Sequence, residues 1–234
     1  PNGPQMKINP NYKLRISPVQ TKTATVFFSS TGVNTVYDLQ TNAVPQQIWQ
    51  DPLTPSNVHA TMMYSAVPGF ATRGSAYFFS NDFGATWTFL GDVPNSGRSG
   101  FPAISGYSNG AAVIANHNNT NGTSTRTKLY FDAGPGFGVF SERDPGDAFG
   151  QQAIWPRVVG IGNDKMSFIA SINGAILSYN NSYNNGVFSG YVEYPGDQAE
   201  SYSLAIAPNG IIGNAYIGNS DGINDNDVFY RFST

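Results

Sequence analysis

Cysteine is absent from all 234 residues, so disulfide frameworks and thiolate metal sites are excluded. Charge is scarce too: Lys, Arg, Asp and Glu make up 12% of the chain, and the net charge is −3. A chain so poor in cations has no basic footprint for nucleic acid, and no acidic block reads as a solvating tail. The only histidines, His59 and His117, are far apart, and neither has a partner at metal-ligand spacing. No apolar run approaches the roughly 18–20 residues that cross a bilayer, so no membrane span is expected. Sustained helical periodicity with caps is missing as well, and helix should be scarce.

Turn and sheet chemistry takes the place of these features. Gly (26) and Pro (15) supply tight turns, while Tyr (13) and Phe (16) suit half-buried sheet faces. The polar surface must come from Asn, Ser, Thr, Gly and Gln. With 40% hydrophobic residues the chain can bury a core, which argues against disorder. The composition is that expected of a secreted or cell-surface bacterial protein.

A repeat sets the architecture. Five β-rich runs end in polar turns: Thr23 to Ser30, Ser75 to Asp82, Thr127 to Gly134, Gly174 to Asn181 and Asp227 to Thr234. The turn positions Thr31, Asp82, Asp132 and Asn180 follow one another at 51, 50 and 48 residues. A second landmark runs in phase. Phe101-Pro102 through Gly106 is echoed 54 residues later by Trp155-Pro156 through Gly160. Each is followed by a turn pair, Asn109-Gly110 or Asn163-Asp164, and another apolar run. Asn-Gly between β-rich runs is a strong hairpin signal. Each unit therefore reads as strand, tight turn, strand, longer loop, strand, polar turn, strand. The expected fold is all-β, a β-propeller of four-stranded antiparallel blades, about 4–5 of them in this chain. Residues 1–19 are read as an extended lead-in and 20–234 as the blades.

The turn Ser80-Asn81-Asp82-Phe83-Gly84-Ala85-Thr86-Trp87 matches Ser-x-Asp-x-Gly-x-x-Trp at every fixed position. It resembles the Asp-box of the sialidase-like (BNR repeat) propellers. Asp132-x-Gly134-x-x-Phe137 is a degraded copy, and Asn180 with Phe188 a weaker one. The resemblance implies that Ser80, Asp82, Gly84, Trp87, Asp132, Gly134 and Phe137 are structural, at the periphery. Ser233 aligns with Ser80, so another box is expected past Thr234. The chain then reads as a piece of a larger propeller, truncated at its C-terminal end or completed by another chain.

Sialidase catalysis, as the resemblance implies it, uses a Tyr nucleophile, carboxylates, three arginines and an Arg-Ile-Pro motif. Arg15-Ile16-Ser17-Pro18 breaks that motif by one inserted residue, and Arg73, Arg98, Arg126, Arg143, Arg157 and Arg231 do not recur at matching positions. Glu193 and Glu200 flank Tyr194 in a segment read as a solvated loop. No catalytic residue is assigned. The oxygen-rich run holding Asp221, Asn224, Asp225 and Asp227 is a candidate calcium (Ca) loop, although it lacks EF-hand spacing; no cofactor is required. The polar segment Asn116 to Thr127 reads as an exposed loop. The favoured function is a non-catalytic extracellular module whose partner is a protein or glycan ligand. Its rivals are a sialidase-type glycoside hydrolase and a structural subunit of a filament or surface layer.

Overall fold

The structure, a computed structural model, describes residues 28–36, 46–68, 71–95, 97–107, 109–119, 124–162, 164–172, 177–195, 202–218 and 227–233. β-Strands are the only regular elements among them, and they form four sheets in chain order. The first holds β1 (Ile48–Gln50), β2 (Val58–Tyr64), β3 (Gly74–Ser80) and β4 (Thr88–Asp92). The second holds β5 (Ser99–Gly106), β6 (Ala112–Asn118), β7 (Arg126–Asp132) and β8 (Phe140–Arg143). In the third, β9 (Ile154–Gly162), β10 (Lys165–Ser171) and β11 (Leu177–Asn184) are followed by a split outer strand, β12 (Val187–Phe188) and β13 (Val192–Pro195). The fourth holds β14 (Tyr202–Ile206), β15 (Ile212–Gly218) and β16 (Asp227–Phe232).

Every pairing is antiparallel, and each sheet is a meander. The first strands of consecutive sheets pack side by side, β1 on β5, β5 on β9 and β9 on β14. This is the propeller arrangement expected from the repeat. Because successive strands alternate in direction, their connections sort onto two faces. The short links, such as β5–β6 and β7–β8, share one face, here called the turn face. The β2–β3 type links and the blade-to-blade crossings share the other, the loop face.

The core lies between blades, because each sheet has two faces to cover. Tyr77 and Val93 of the first blade meet Ile104, Ile114 and Tyr130 of the second. Val113, Leu129 and Phe131 of the second meet Val158, Phe168 and Tyr183 of the third. Val159 and Ile169 of the third meet Tyr202, Leu204 and Tyr216 of the fourth. Each such large apolar side chain contributes about 1.5–3 kcal/mol by leaving water.

The inner strands approach more closely than side chains allow. A Cβ on Gly106 would lie 1.9 Å from the Trp49 indole of the preceding blade. A Cβ at the repeat-equivalent Gly160 would lie 1.5 Å from the Gly106 carbonyl oxygen. Only glycine fits at these two positions.

Two expectations are corrected. In the third blade the turn falls at Asn185-Gly186 rather than at Asn180, which pairs with Ile169 inside β11. An outer strand broken at residues 189–191 shifts the unit, and Tyr191 packs from this break onto Phe168. The segment from Asn116 to Thr127 is not all exposed loop either: Asn116, His117, Asn118 and Thr127 are buried in β6 and β7. Asn116 and His117 are accommodated by hydrogen bonds to the neighbouring blades, and Asn118 by hydrogen bonds within its own, pairings that composition does not reveal.

Candidate functional site

The Asp-box residues lie on the turn face. The Ser80 hydroxyl donates to Asp82 Oδ1 at 2.7 Å and accepts the Gly84 N–H at 2.8 Å. Asp82 accepts the Thr86 N–H at 2.9 Å and the Thr86 hydroxyl at 2.6 Å. These donors hold its carboxyl down at about 2. Gly84 adopts φ +84°, and Trp87 packs on the cluster of Ala60, Ala76 and Phe78 while its Nε1 donates to Ser29 Oγ at 3.0 Å. In the second blade Asp132 is fully buried and accepts the N–H groups of Phe137, Gly138 and Val139 at 3.1, 3.3 and 3.1 Å. Gly134 sits against the Phe137 ring. These arrangements brace the two turns.

Two other sequence candidates lie elsewhere among the described residues. Glu193 is exposed on β13, and Arg231 on β16 donates to the Tyr216 hydroxyl at 2.9 Å. Residues 1–19, Glu200, Asp221, Asn224 and Asp225 lie outside the described residues, as do the side chains of Tyr194 and Asp227. A cavity of about 600 Å³ opens on the turn face among Tyr107, Asn109, Gly134, Asp164, Lys165 and Asn185. Its lining is turn backbone and polar tips.

The loop face carries a different assembly, at the N-terminal ends of β5 and β9. The register of β5 against β6 shifts between Gly100 and Ala103, and that of β9 against β10 shifts opposite residues 154–157. Each shift is a bulge built on an aromatic-Pro pair, since Pro offers no N–H to the ladder. The aromatic residues take left-handed backbone, Phe101 at φ +51° and Trp155 at φ +55°. Such a conformation is an outlier for bulky side chains and marks strain that the surrounding packing must hold.

The consequence is a half-exposed aromatic corner. The Phe101 and Trp155 rings stand 6.2 Å apart and perpendicular, with His117 beneath at 5.2 and 6.3 Å. His117 Nδ1 accepts the Trp155 backbone N–H at 3.2 Å, which assigns the remaining ring proton to Nε2. Burial, reinforced by Arg73 and Arg98, pushes the His117 pKa down to about 3, so the ring is neutral. The Arg73 guanidinium lies 5.7 Å over the Phe101 ring and donates to the Ser99 carbonyl at 3.0 Å. Arg98 is exposed, and its charge also reaches His117. On the other flank Arg157 lies 5.4 Å over the Tyr202 ring, and the Tyr202 hydroxyl donates to the Trp155 carbonyl. Trp155 Nε1 is buried without an acceptor.

A buried polar chain backs this corner. Ser75 and Ser99 hydroxyls meet at 2.9 Å, and Asn116 Nδ2 donates to the Val93 carbonyl at 2.7 Å. Asn118 Nδ2 bridges Asn116 Oδ1 at 2.8 Å and the Tyr130 hydroxyl at 2.7 Å. Tyr130 and the buried Lys128 both donate to Glu142, at 2.9 and 2.7 Å. The Tyr130–Glu142 pair is therefore engaged in tying β7 to β8. Sequence reasoning missed the corner, although its signal was present: an aromatic-Pro pair recurring inside a strand pattern.

No family model matches the chain, and no curated protein matches it. Among solved structures it is similar to a Hadza microbial sialidase, Hz136, at 12% identity and TM-score 0.56, over 80% of this chain and 42% of that one. It is also similar to the α-L-arabinofuranosidase Arb93A from Fusarium graminearum, solved with an iminosugar inhibitor, at 14% identity and TM-score 0.50. That match covers 81% of this chain and 62% of the other. The chain thus spans about half the length of the structures it resembles. At these identities the likeness shows the fold alone, a β-propeller.

Proposed function

We propose that the chain is a carbohydrate-binding propeller module that takes a sugar at the loop-face corner of Phe101 and Trp155. The observation that carries this reading is the pair of strained, half-exposed aromatic rings at equivalent places in successive blades. A sugar ring presents C–H faces that pack on aromatic rings and hydroxyls that pair with fixed polar groups. Arg73 and Arg98 supply donors beside the corner. The neutral His117 and the buried polar chain hold the rings in place without supplying a proton-transfer pair. The names of the two similar structures, both glycosidases, support a carbohydrate ligand.

Isothermal calorimetry against sialic acid, sialyllactose, arabinose and arabinobiose tests the reading. Binding to at least one, weakened about tenfold or more by Trp155→Ala, is the expected result. Absence of binding to all four overturns it. The same neighbours favour a second reading, a sialidase-type glycoside hydrolase. Turnover of fluorogenic sialosides by the protein distinguishes it from the binding module.

A further inference from the structure

A third left-handed aromatic stands on the same face, in the β8–β9 crossing. Ala148 and Gln151 pair across a two-residue turn through both backbone hydrogen bonds, at 2.8 and 2.9 Å. The central residues Phe149 and Gly150 have φ +52° and +78°. Positive φ at both places is the geometry in which Asn-Gly is favoured, and a phenylalanine in the first is strained. Its side chain is nonetheless 65% exposed.

The turn is held firmly from below. Ala148 and Ala153 are fully buried against Ala170. Arg126 grips Asp144 through two hydrogen bonds of 2.8 and 2.7 Å and reaches Asp147 at 3.3 Å. The Gly146 N–H donates to Asp144 at 2.9 Å, and the Thr127 N–H donates to the Ala153 carbonyl at 2.7 Å. Trp155 follows Gln151 by four residues, so at most about 14 Å of chain separates the turn from the corner. The other exposed left-handed phenylalanine, Phe83 at φ +61°, lies on the opposite face, where the Ser80 and Asp82 side chains account for its turn. At Phe149 the fold maintains a strained turn that leaves an aromatic residue largely exposed on the loop face.

We propose that Phe149 is a further binding residue of the loop face, packing against a second or later sugar of an oligosaccharide whose first ring occupies the Phe101–Trp155 corner. This deepens the carbohydrate-binding reading and rests on it. The site then prefers oligosaccharides to single sugars.

Phe149→Asn tests the inference without threatening the fold, because it places the favoured Asn-Gly pair in the turn. Calorimetry with sialic acid against sialyllactose, and arabinose against arabinobiose, provides the readout, and thermal melts accompany it. The expected result is a loss of about five- to tenfold toward the longer sugar of the series that binds. Affinity for the matching single sugar should stay within about twofold, with Tm unchanged or raised. A purely structural role for Phe149 predicts a lowered Tm instead. Unchanged affinity for the longer sugar, or equal losses for both lengths, overturns the inference while leaving the corner intact. A wild-type protein that binds none of the four sugars overturns the carbohydrate reading itself, and the inference with it.

Discussion

Two turns hold the same place in successive blades, one after β3 and one after β7, and their aspartates live in opposite surroundings. Asp82 lies at the surface with its carboxyl held down at about 2 by Thr86 and Ser80. Asp132 is buried, and burial pushes its carboxyl upward against the pull of the backbone N–H groups of Gly138, Val139 and Phe137 and of the Tyr77 hydroxyl. The position of Ser80 is taken by Tyr130 in the second blade, so the hydroxyl that organises the first turn from within is missing there. Tyr77 of the neighbouring blade donates to Asp132 at 3.1 Å instead, and His59 meets the same hydroxyl at 2.8 Å. A motif that looks degraded in sequence has thus exchanged local bracing for a tie between blades.

The largest effect should come from removing that tie. Asp132→Ala leaves three part-buried backbone N–H groups and a buried tyrosine hydroxyl without an acceptor, and should cost about 3–5 kcal/mol in urea denaturation. Asp82→Ala, by contrast, should lower Tm only modestly, because water replaces the lost acceptor; equal losses at the two sites would erase the distinction. Tyr77→Phe comes next at about 1–3 kcal/mol, since it strips a donor from Asp132 and a partner from His59.

Acid titration sharpens the contrast further. His59 and His117 are lowered from 6.5 to about 4 and about 3, mainly by burial. The unfolded chain therefore binds more protons, and stability falls as pH drops below 6.5. Each histidine should contribute a slope of about 1.4 kcal/mol per pH unit, and His117→Gln should halve the combined slope measured by denaturation between pH 6 and 4, roughly the window set by these shifts. The aspartates oppose one another at lower pH. The lowered Asp82 stabilises the fold above its unfolded value of 3.8, and that contribution is lost toward pH 2. The raised Asp132 takes up its proton more readily when folded, so acid relieves its burial. Asp82→Asn should flatten the acid limb below pH 4, and Asp132→Asn should leave it steep. The smallest effect, about 1 kcal/mol, is expected for Gly84→Ala, where the backbone at φ +84° disfavours a side chain although the Trp87 ring leaves room.

The blade repeat was legible because strands and turns are local and recur in phase. Asn109-Gly110, the runs around Phe78 and Tyr130, and the turn after Ser80 all fall where their spacing placed them. The third-blade turn was misplaced because Asn180-Asn181 resembles a turn pair, whereas pairing across β10 and β13 keeps it extended. The corner was hidden for another reason. Asn116, His117 and Asn118 are polar, and contacts distant in sequence, with Val93 for Asn116, Trp155 for His117 and Tyr130 for Asn118, make their burial tolerable. Phe101 and Trp155 were noted as a repeat, but that a bulge would turn both rings toward one face required the register of two separate sheets.

The glycines at 106 and 160 carry a consequence for how such a molecule can change over evolutionary time. One receives an indole from the blade before it, and the other receives a carbonyl oxygen. Each junction is shaped for its own neighbour, like a lock cut for one key. Duplicating or swapping a blade would place an unmatched surface at both of its seams, so this propeller can drift within its blades far more easily than it can reorder them.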